Sequence, residues 1–407
     1  MRLLLTITLI TVCAMDAHAQ LWARHSIDAS SKGADGARLG DFNGDSLMDI
    51  VTPWEEGGTI RIAFNPGADK VKEVWPSIII GAVGQPEDAM AMDVDGDGRL
   101  DVVSSCEGKQ RSIFVHWAPK KAEDLMNPEK WETEVLPASN DRMQFMFSVA
   151  MDVNQDGRMD LISGGKNNDA VLGWFEAPEK RRNLKAWDWH PIMPLGWLMS
   201  LHVVTGESED DTSLLISDRR GTYRGVYRLE TKVKGKMLRK LLNKDKDKEK
   251  NPWAIKYVGG NKQEVMFMDY IRRGDNDWTI AWAVSDGEVV KIRTDFSKKS
   301  VVRIPMPERS GLGKAVALGD LDNDGLDEIV VSCEHSEGKN GVFYFTEIPS
   351  AVEGIPSGWA FRDIAGLEGT KFDRIELIDL DKDGDLDVVT CEERENLGVI
   401  WYENPTK

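Results

Sequence analysis

Short apolar runs recur along this chain, separated by acidic, glycine-bearing turns. Ile50-Val51, Val102-Val103, Leu161-Ile162, Ile329-Val330 and Val388-Val389 each directly follow such a turn. Runs this short, bounded by Asp and Gly, predict strands and not helices. A second apolar segment follows and ends in a turn, as in Gly173-Trp174-Phe175-Glu176-Ala177-Pro178 and Gly398-Val399-Ile400-Trp401-Tyr402-Glu403-Asn404-Pro405. Phe114-Val115-His116-Trp117 and Val342-Phe343-Tyr344-Phe345 are related segments. A third strand then opens with Trp, at Trp131, Trp187, Trp253 and Trp359. Adding the strand before each acidic turn gives a unit of four strands.

The acidic turns share the form D-x-[D/N]-x-D-x-x-x-[D/E]. The side chains concerned are Asp41, Asn43, Asp45 and Asp49, then Asp93, Asp95, Asp97 and Asp101, then Asp152, Asn154, Asp156 and Asp160. Asp320, Asp322, Asp324 and Glu328 follow, then Asp379, Asp381, Asp383 and Asp387. So many carboxylates in nine residues repel unless a cation offsets them. Calcium suits the pattern, because it accepts six to eight oxygens in a flexible shell. Offsets 1, 3, 5 and 9 supply side-chain oxygens, and offset 7 a backbone carbonyl. An EF-hand is excluded, since offset 12 holds Thr52, Ser104, Ser163, Val331 and Thr390 and the flanks are strands. About five structural calcium sites are expected.

Spacing decides the architecture. The turns begin at 41, 93, 152, 320 and 379, and the long gap of 168 equals three periods of 56. Eroded copies fill it: Thr205, Glu207 and Glu209 to Ser213, and Asp269, Ile271 and Arg273 to Asp277, where Arg273 stands in for the cation. Seven four-stranded units predict an all-β, seven-bladed β-propeller, a layout that leaves only short edges. The chain stops after a third strand at Asn404-Pro405, and Trp22-Ala-Arg-His25-Ser-Ile27 matches Trp187-Asp-Trp-His190-Pro-Ile192. The N-terminal strand is therefore expected to close the last blade. The recurring Trp residues are expected to pack blade against blade.

With its repeated acidic turns, the chain resembles the FG-GAP/VCBS repeat family, whose relatives include the integrin alpha propeller and many secreted bacterial proteins. The resemblance implies the propeller and calcium. It is nearly silent on activity, because related propellers serve as adhesion domains, lectins and polysaccharide lyases.

Residues 1–19 read as a secretory signal, with Arg2, an apolar run from Leu3 to Val12, and Ala17-His18-Ala19 as the cleavage site. The run is too short to span a bilayer, and no other segment reads as a membrane span. A secreted or periplasmic monomer is expected, with 20–407 as one propeller. Cys106, Cys333 and Cys391 sit at equivalent strand ends, each before a Glu. An odd number at equivalent positions argues for buried thiols, not disulfides. The formal charge is −18, and five divalent ions, ten positive charges, would leave about −8. This acidity reflects metal sites, and nucleic acid is not an expected partner. One basic excursion, within about 230–252 and running from Lys232 to Lys250, interrupts the pattern between blades four and five.

All acidic turns join first to second strands, so they share one face. The opposite face gathers loops that differ from blade to blade, which suits recognition. Candidate ligand contacts there are Arg142, Lys166, Asp218, Arg219, Arg220, Tyr223, Arg224, Lys314, Glu334 and Glu392. Glu55, Glu87, Glu107, Asp88, Arg38, Asp373 and Glu393 lie in the same loops. Mixed acids and bases suit a polysaccharide or other polar ligand, and equally suit salt bridges between blades. If the chain were a lyase acting on uronate-containing glycans, Tyr223 or His335 would be the base beside Arg219 and Arg220. A protein-interaction or adhesion module is the third reading, and a plugged axis would favour it.

Overall fold

A computed structural model describes residues 21–205, 212–231, 253–274, 277–285, 287–295, 298–348 and 358–406. The signal-like segment, Glu207 and Glu209 of the first eroded copy, and the Lys232–Lys250 excursion lie outside the described residues.

Each acidic turn ends one strand and starts the next, and the sheets follow from that repetition. Blade 1 pairs Arg38–Gly40, Asp49–Trp54, Thr59–Ala63 and Ser77–Ala82, from the axis outward. Blade 2 pairs Pro86–Met92, Asp101–Cys106, Ile113–Trp117 and Glu132–Val135. Blade 3 pairs Gln144–Met151, Asp160–Lys166, Val171–Glu176 and Asp188–Pro194. Blade 4 has Leu198–Val204, Ser213–Asp218, Gly225–Thr231 and Trp253–Gly259. Blade 5 has Val265–Gly274, Asp277–Val284, Glu288–Thr294 and Lys299–Pro305. Blade 6 has Leu312–Gly319, Glu328–Glu334, Val342–Ile348 and Gly358–Asp363. Blade 7 has Phe372–Ile378, Asp387–Glu392 and Gly398–Glu403, and its outer strand is Ala23–Asp28. Seven antiparallel four-stranded blades thus form the predicted all-β propeller.

The closure joins the two ends of the chain. Ala23 stands opposite Glu403, Arg24 opposite Tyr402, His25 opposite Trp401 and Ser26 opposite Ile400. His25 Nε2–H donates to the Glu403 carboxylate at 2.9 Å, matching the His190–Glu176 contact of blade 3 at the same distance. The Trp22/Trp187 alignment is therefore structural as well as sequential. Second strands are buried from end to end in blades 1, 2, 4 and 7. Between blades, apolar side chains from adjacent sheets interleave, as where Ile27, Trp54, Cys391 and Trp401 share one cluster across blades 7 and 1. Trp22, Trp131, Trp187 and Trp253 are all buried, as expected for packing residues, while Trp359 is only partly so. All three described cysteines are free and buried. Burial pushes the Cys106 thiol up to about 12, and it raises Cys333 and Cys391 as well. Among the described residues no helix is long and apolar enough to cross a membrane.

Candidate functional site

The acidic loops are built on their own backbone. The first acid of each loop turns back to accept amides further along. Asp41 takes Gly44 N–H at 2.8 Å and Ser46 N–H at 3.0 Å, and Asp320 takes Asp324 N–H at 3.0 Å and Gly325 N–H at 2.9 Å. Gly98, Gly157, Gly325 and Gly384, each following the third acid, adopt positive φ, which is why glycine recurs there. In blade 1 Ser46 takes that conformation instead, with φ 68°.

The last acid has a second task that the sequence pattern did not reveal. Asp49 accepts from Phe42 N–H at 3.0 Å and from Asn65 N–H at 2.9 Å. Asp101, Asp160 and Asp387 repeat this with Val94 and Ala118, Val153 and Ala177, and Leu380 and Asn404. Glu328 takes Leu321 N–H and the Thr346 hydroxyl. Each thereby ties its loop to the end of the third strand. All five are essentially buried. Burial pushes Asp49 up to about 6, Asp101, Glu328 and Asp387 to about 7, and Asp160 to about 8.

The donor set fits a hard cation. Carboxylate oxygens of Asp93, Asp95 and Asp101 lie within 4.8 Å of one another, as do those of Asp320, Asp322 and Glu328 and of Asp379, Asp381 and Asp387. In the blade 7 loop, Oδ1 of Asp379 and both carboxylate oxygens of buried Asp385 have no hydrogen-bond partner. Unmet buried acceptors of this kind are costly unless a cation or water fills them. Side-chain cations already approach some loops: Arg182 is 3.1 Å from Asp95, Lys72 is 3.3 Å from Asp381, and Arg158 pairs with Asp156. The eroded blade 5 copy differs from expectation. Arg273 reaches across to Asp327 in the blade 6 loop, and Asp269 instead accepts Leu318 N–H at 2.8 Å.

On the opposite face, lysines and acids of neighbouring blades form an ionic cluster at the axis. Lys166 of blade 3 lies 3.4 Å from Glu87 and pairs with Glu107, both of blade 2. Lys314 of blade 6 lies 3.3 Å from Asp373 of blade 7 and 3.6 Å from Glu334. Lys371 pairs with Glu393. Burial pushes Glu87 up to about 8, with Lys166 opposing the shift and Glu107 adding to it. The salt bridges between blades that the sequence left open are thus present at Lys166 and Lys314. One layer deeper, Arg38 bridges to Asp88 at 2.7 Å. A cavity of about 310 Å³ lies along the inner strands of blades 4 to 7, lined by His202, Asp269, Arg374 and Glu376 among others.

Two expected ligand residues are occupied by backbone. Asp218 accepts from Gly196 N–H at 3.0 Å and Trp197 N–H at 2.6 Å. Glu392, fully buried, accepts from the amides of Thr370, Lys371, Arg394, Glu395 and Leu397. A strand-end acid whose next loop folds over it looks the same in sequence as one facing solvent. Asp35 and Lys371, by contrast, join the axial cluster without having been singled out. Gly33-Ala34-Asp35-Gly36 reads as a plain turn, and only ring closure brings it to the axis.

Some of the remaining candidates gather around Trp197, and others stand apart. Trp197 is ringed by three cations: Lys166 at 4.8 Å, Arg219 at 5.1 Å and Arg220 at 4.6 Å from the ring centroid. Arg219 is held by Glu264 at 2.9 Å, whereas Arg220 is half exposed and 3.9 Å from the same carboxylate. Tyr223 and Arg224 are exposed on the same loop. Arg142 lies over Trp189 at 5.1 Å and donates to Ala138 O. His335 is exposed on the blade 6 loop with φ 55°. Among the described residues neither Tyr223 nor His335 makes a hydrogen bond or ring contact with an arginine.

Comparison with known proteins agrees with this anatomy. Residues 41–104 match the model of the FG-GAP-like repeat family. That stretch covers the blade 1 acidic loop, most of blade 1, and the blade 2 loop. No curated protein matches the chain. Among solved structures, BBS1N in complex with ARL6DN is similar in two crystals. The lead-soaked crystal has TM-score 0.52 and 10% identity, covering 94% of this chain and 98% of that one. The mercury-soaked crystal has TM-score 0.51 and 11% identity, covering 95% and 96%. At such identities the likeness concerns the propeller fold alone.

Proposed function

We propose that this protein is a calcium-stabilised binding module that recognises a polar ligand, a carbohydrate first, on the face opposite the acidic loops. The observation that carries the reading is the Trp197 patch. One indole is surrounded by Lys166, Arg219 and Arg220, and among the described residues Glu264 is the carboxylate that offsets the two arginines. Tyr223 and Arg224 extend the patch into solvent. An aromatic ring flanked by the half-exposed Arg220 guanidinium, with the more enclosed Arg219 beside it, suits a hydroxyl-rich or carboxylate-bearing glycan, because Arg matches carboxylate in bidentate fashion. The repeats set the scaffold, and these loops differ between blades. Export by the N-terminal signal and a calcium-rich compartment complete the reading, since extracellular modules work with weak calcium sites.

A protein partner is the second reading, and the ion pairs at the axis favour it. Among the described residues Lys166, Lys314 and Lys371 are each engaged by acids at this face, which leaves the rim as the surface for recognition. The similar BBS1N structures are complexes with ARL6DN, which shows a propeller of this form used for a partner there.

A glycan array probed with and without calcium tests the first reading. If an acidic glycan binds, Arg220→Ala is expected to weaken binding by about 1–3 kcal/mol, as for a charge-assisted hydrogen bond, with calcium content unchanged. Affinity that survives substitution of Arg219, Arg220 and Arg224 but falls on altering Lys232–Lys250 would move the contact surface to the basic excursion. Appearance of unsaturated products with wild type and not with Tyr223→Phe would make the module a lyase.

A further inference from the structure

The axial cluster contains a group of acids that its lysines do not neutralise. Asp35 lies on the loop leading from the outer strand of blade 7 into blade 1. Asp373 opens the inner strand of blade 7, and Glu393 follows that blade's second strand. One carboxylate oxygen from each lies within 4.8 Å of the others, and all three residues are more than nine-tenths buried. None belongs to an acidic loop, and all lie at the opposite end of the strands.

Two further observations point to a ligand. Among the described residues the Asp35 carboxylate makes no hydrogen bond and no salt bridge, although only 8% of the residue is exposed. Oε1 of Glu393 is likewise buried without a hydrogen-bond partner, its other oxygen being taken by Lys371. A buried carboxylate without a partner is strongly disfavoured. The local charge is also unbalanced. Lys166, Lys314 and Lys371 face Asp35, Glu87, Glu107, Glu334, Asp373 and Glu393, so the acids outnumber the lysines six to three.

We propose that Asp35, Asp373 and Glu393 bind a hard divalent cation, calcium or magnesium, on the propeller axis. Carboxylate oxygens without nitrogen or sulfur donors suit this class of ion and not zinc or copper. One such ion would offset two of the excess negative charges. It would draw the blade 7 elements and the closing loop of blade 1 onto a common centre, with Lys314 and Lys371 holding the acids from behind. The site is independent of the acidic loops, and it meets the Trp197 patch only through Lys166 among the described residues.

The test compares full-length wild type with Asp35→Asn. Both are stripped with chelator, dialysed against calcium or magnesium at pH 8, and analysed for bound metal. The Asn side chain is isosteric, and Asp35 makes no hydrogen bond that it would break. Asp35→Asn is expected to hold one ion fewer per chain, and Asp97→Ala to lose a different one, so that the double variant loses two. Glu393→Gln should repeat the loss at the axis. In crystals soaked with manganese, an anomalous peak between the three carboxylates is expected in wild type and not in Asp35→Asn. Equal metal content in wild type, Asp35→Asn and Glu393→Gln with both metals, and no peak, would overturn the proposal and leave a shared proton to balance the charge. Because Asp97→Ala counts the loop sites separately, empty acidic loops would not be mistaken for an empty axis.

Discussion

Deleting residues 20–30 is expected to lower the melting temperature sharply and to make the protein prone to aggregation. The deletion removes the whole outer strand of blade 7, Ala23–Asp28, which pairs with Gly398–Glu403. Buried Trp22 and Ile27 go with it. Full burial of two such side chains contributes about 3–6 kcal/mol. The loss extends into blade 1, because Ile27 C=O accepts from Trp75 N–H at 3.0 Å and Asp28 pairs with Arg61 at 2.8 Å. It would also bare the Gly398–Glu403 strand as a long apolar edge, a template for pairing with other chains. Thermal unfolding of the truncated chain measures this. Unchanged melting would mean that closure by the N-terminal strand contributes little to holding the ring.

Removing calcium is expected to destabilise the fold, and by more at higher pH. The buried last acids of the loops hold their protons up to about 6 at Asp49, about 7 at Asp101, Glu328 and Asp387, and about 8 at Asp160. An unfolded Asp or Glu titrates near 3.9 to 4.3. Between those values the metal-free fold binds more protons than the unfolded chain. Its stability from these groups therefore falls as pH rises from about 4 to about 8. Calcium needs the deprotonated ligands, so its contribution grows across the same window. At a free concentration a hundred times the dissociation constant, one site adds about 2.7 kcal/mol. Melting curves at pH 5, 6.5 and 8, each with calcium and with chelator, should show a gap that widens with pH. A gap that is absent, or the same at all three, would contradict this role for the loops.

Period and alternation made the ring legible. The spacing of Asp41, Asp93, Asp152, Asp320 and Asp379 placed the blades, and the likeness of Trp22–Ile27 to Trp187–Ile192 placed the closing strand. Both depend on repetition, which sequence records directly. Direction was less legible. Asp218 and Glu392 stand at second-strand ends like Glu107 and Glu334, yet their carboxylates are occupied by loop amides, whereas Glu107 and Glu334 meet lysines. The difference lies in how each following loop folds, which one residue type at one offset does not encode. Asp35 was missed for a similar reason. It lies far in sequence from Asp373 and Glu393, and only closure brings them together. The last acid of each loop reads in the sequence as a candidate cation ligand, and its tie to the third strand does not show there. That tie uses amides such as those of Asn65, Ala118 and Ala177, which carry no side-chain signature.

We propose that the acidic loops are cation sites that hold the ring. Counting calcium per chain tests it most directly, on protein stripped with chelator and then equilibrated with calcium at pH 8. Five loop ions are expected in wild type beside any axial ion, and one fewer in each of Asp97→Ala and Asp383→Ala. Calcium-free wild type at saturating calcium, or unchanged content in both variants, would contradict it.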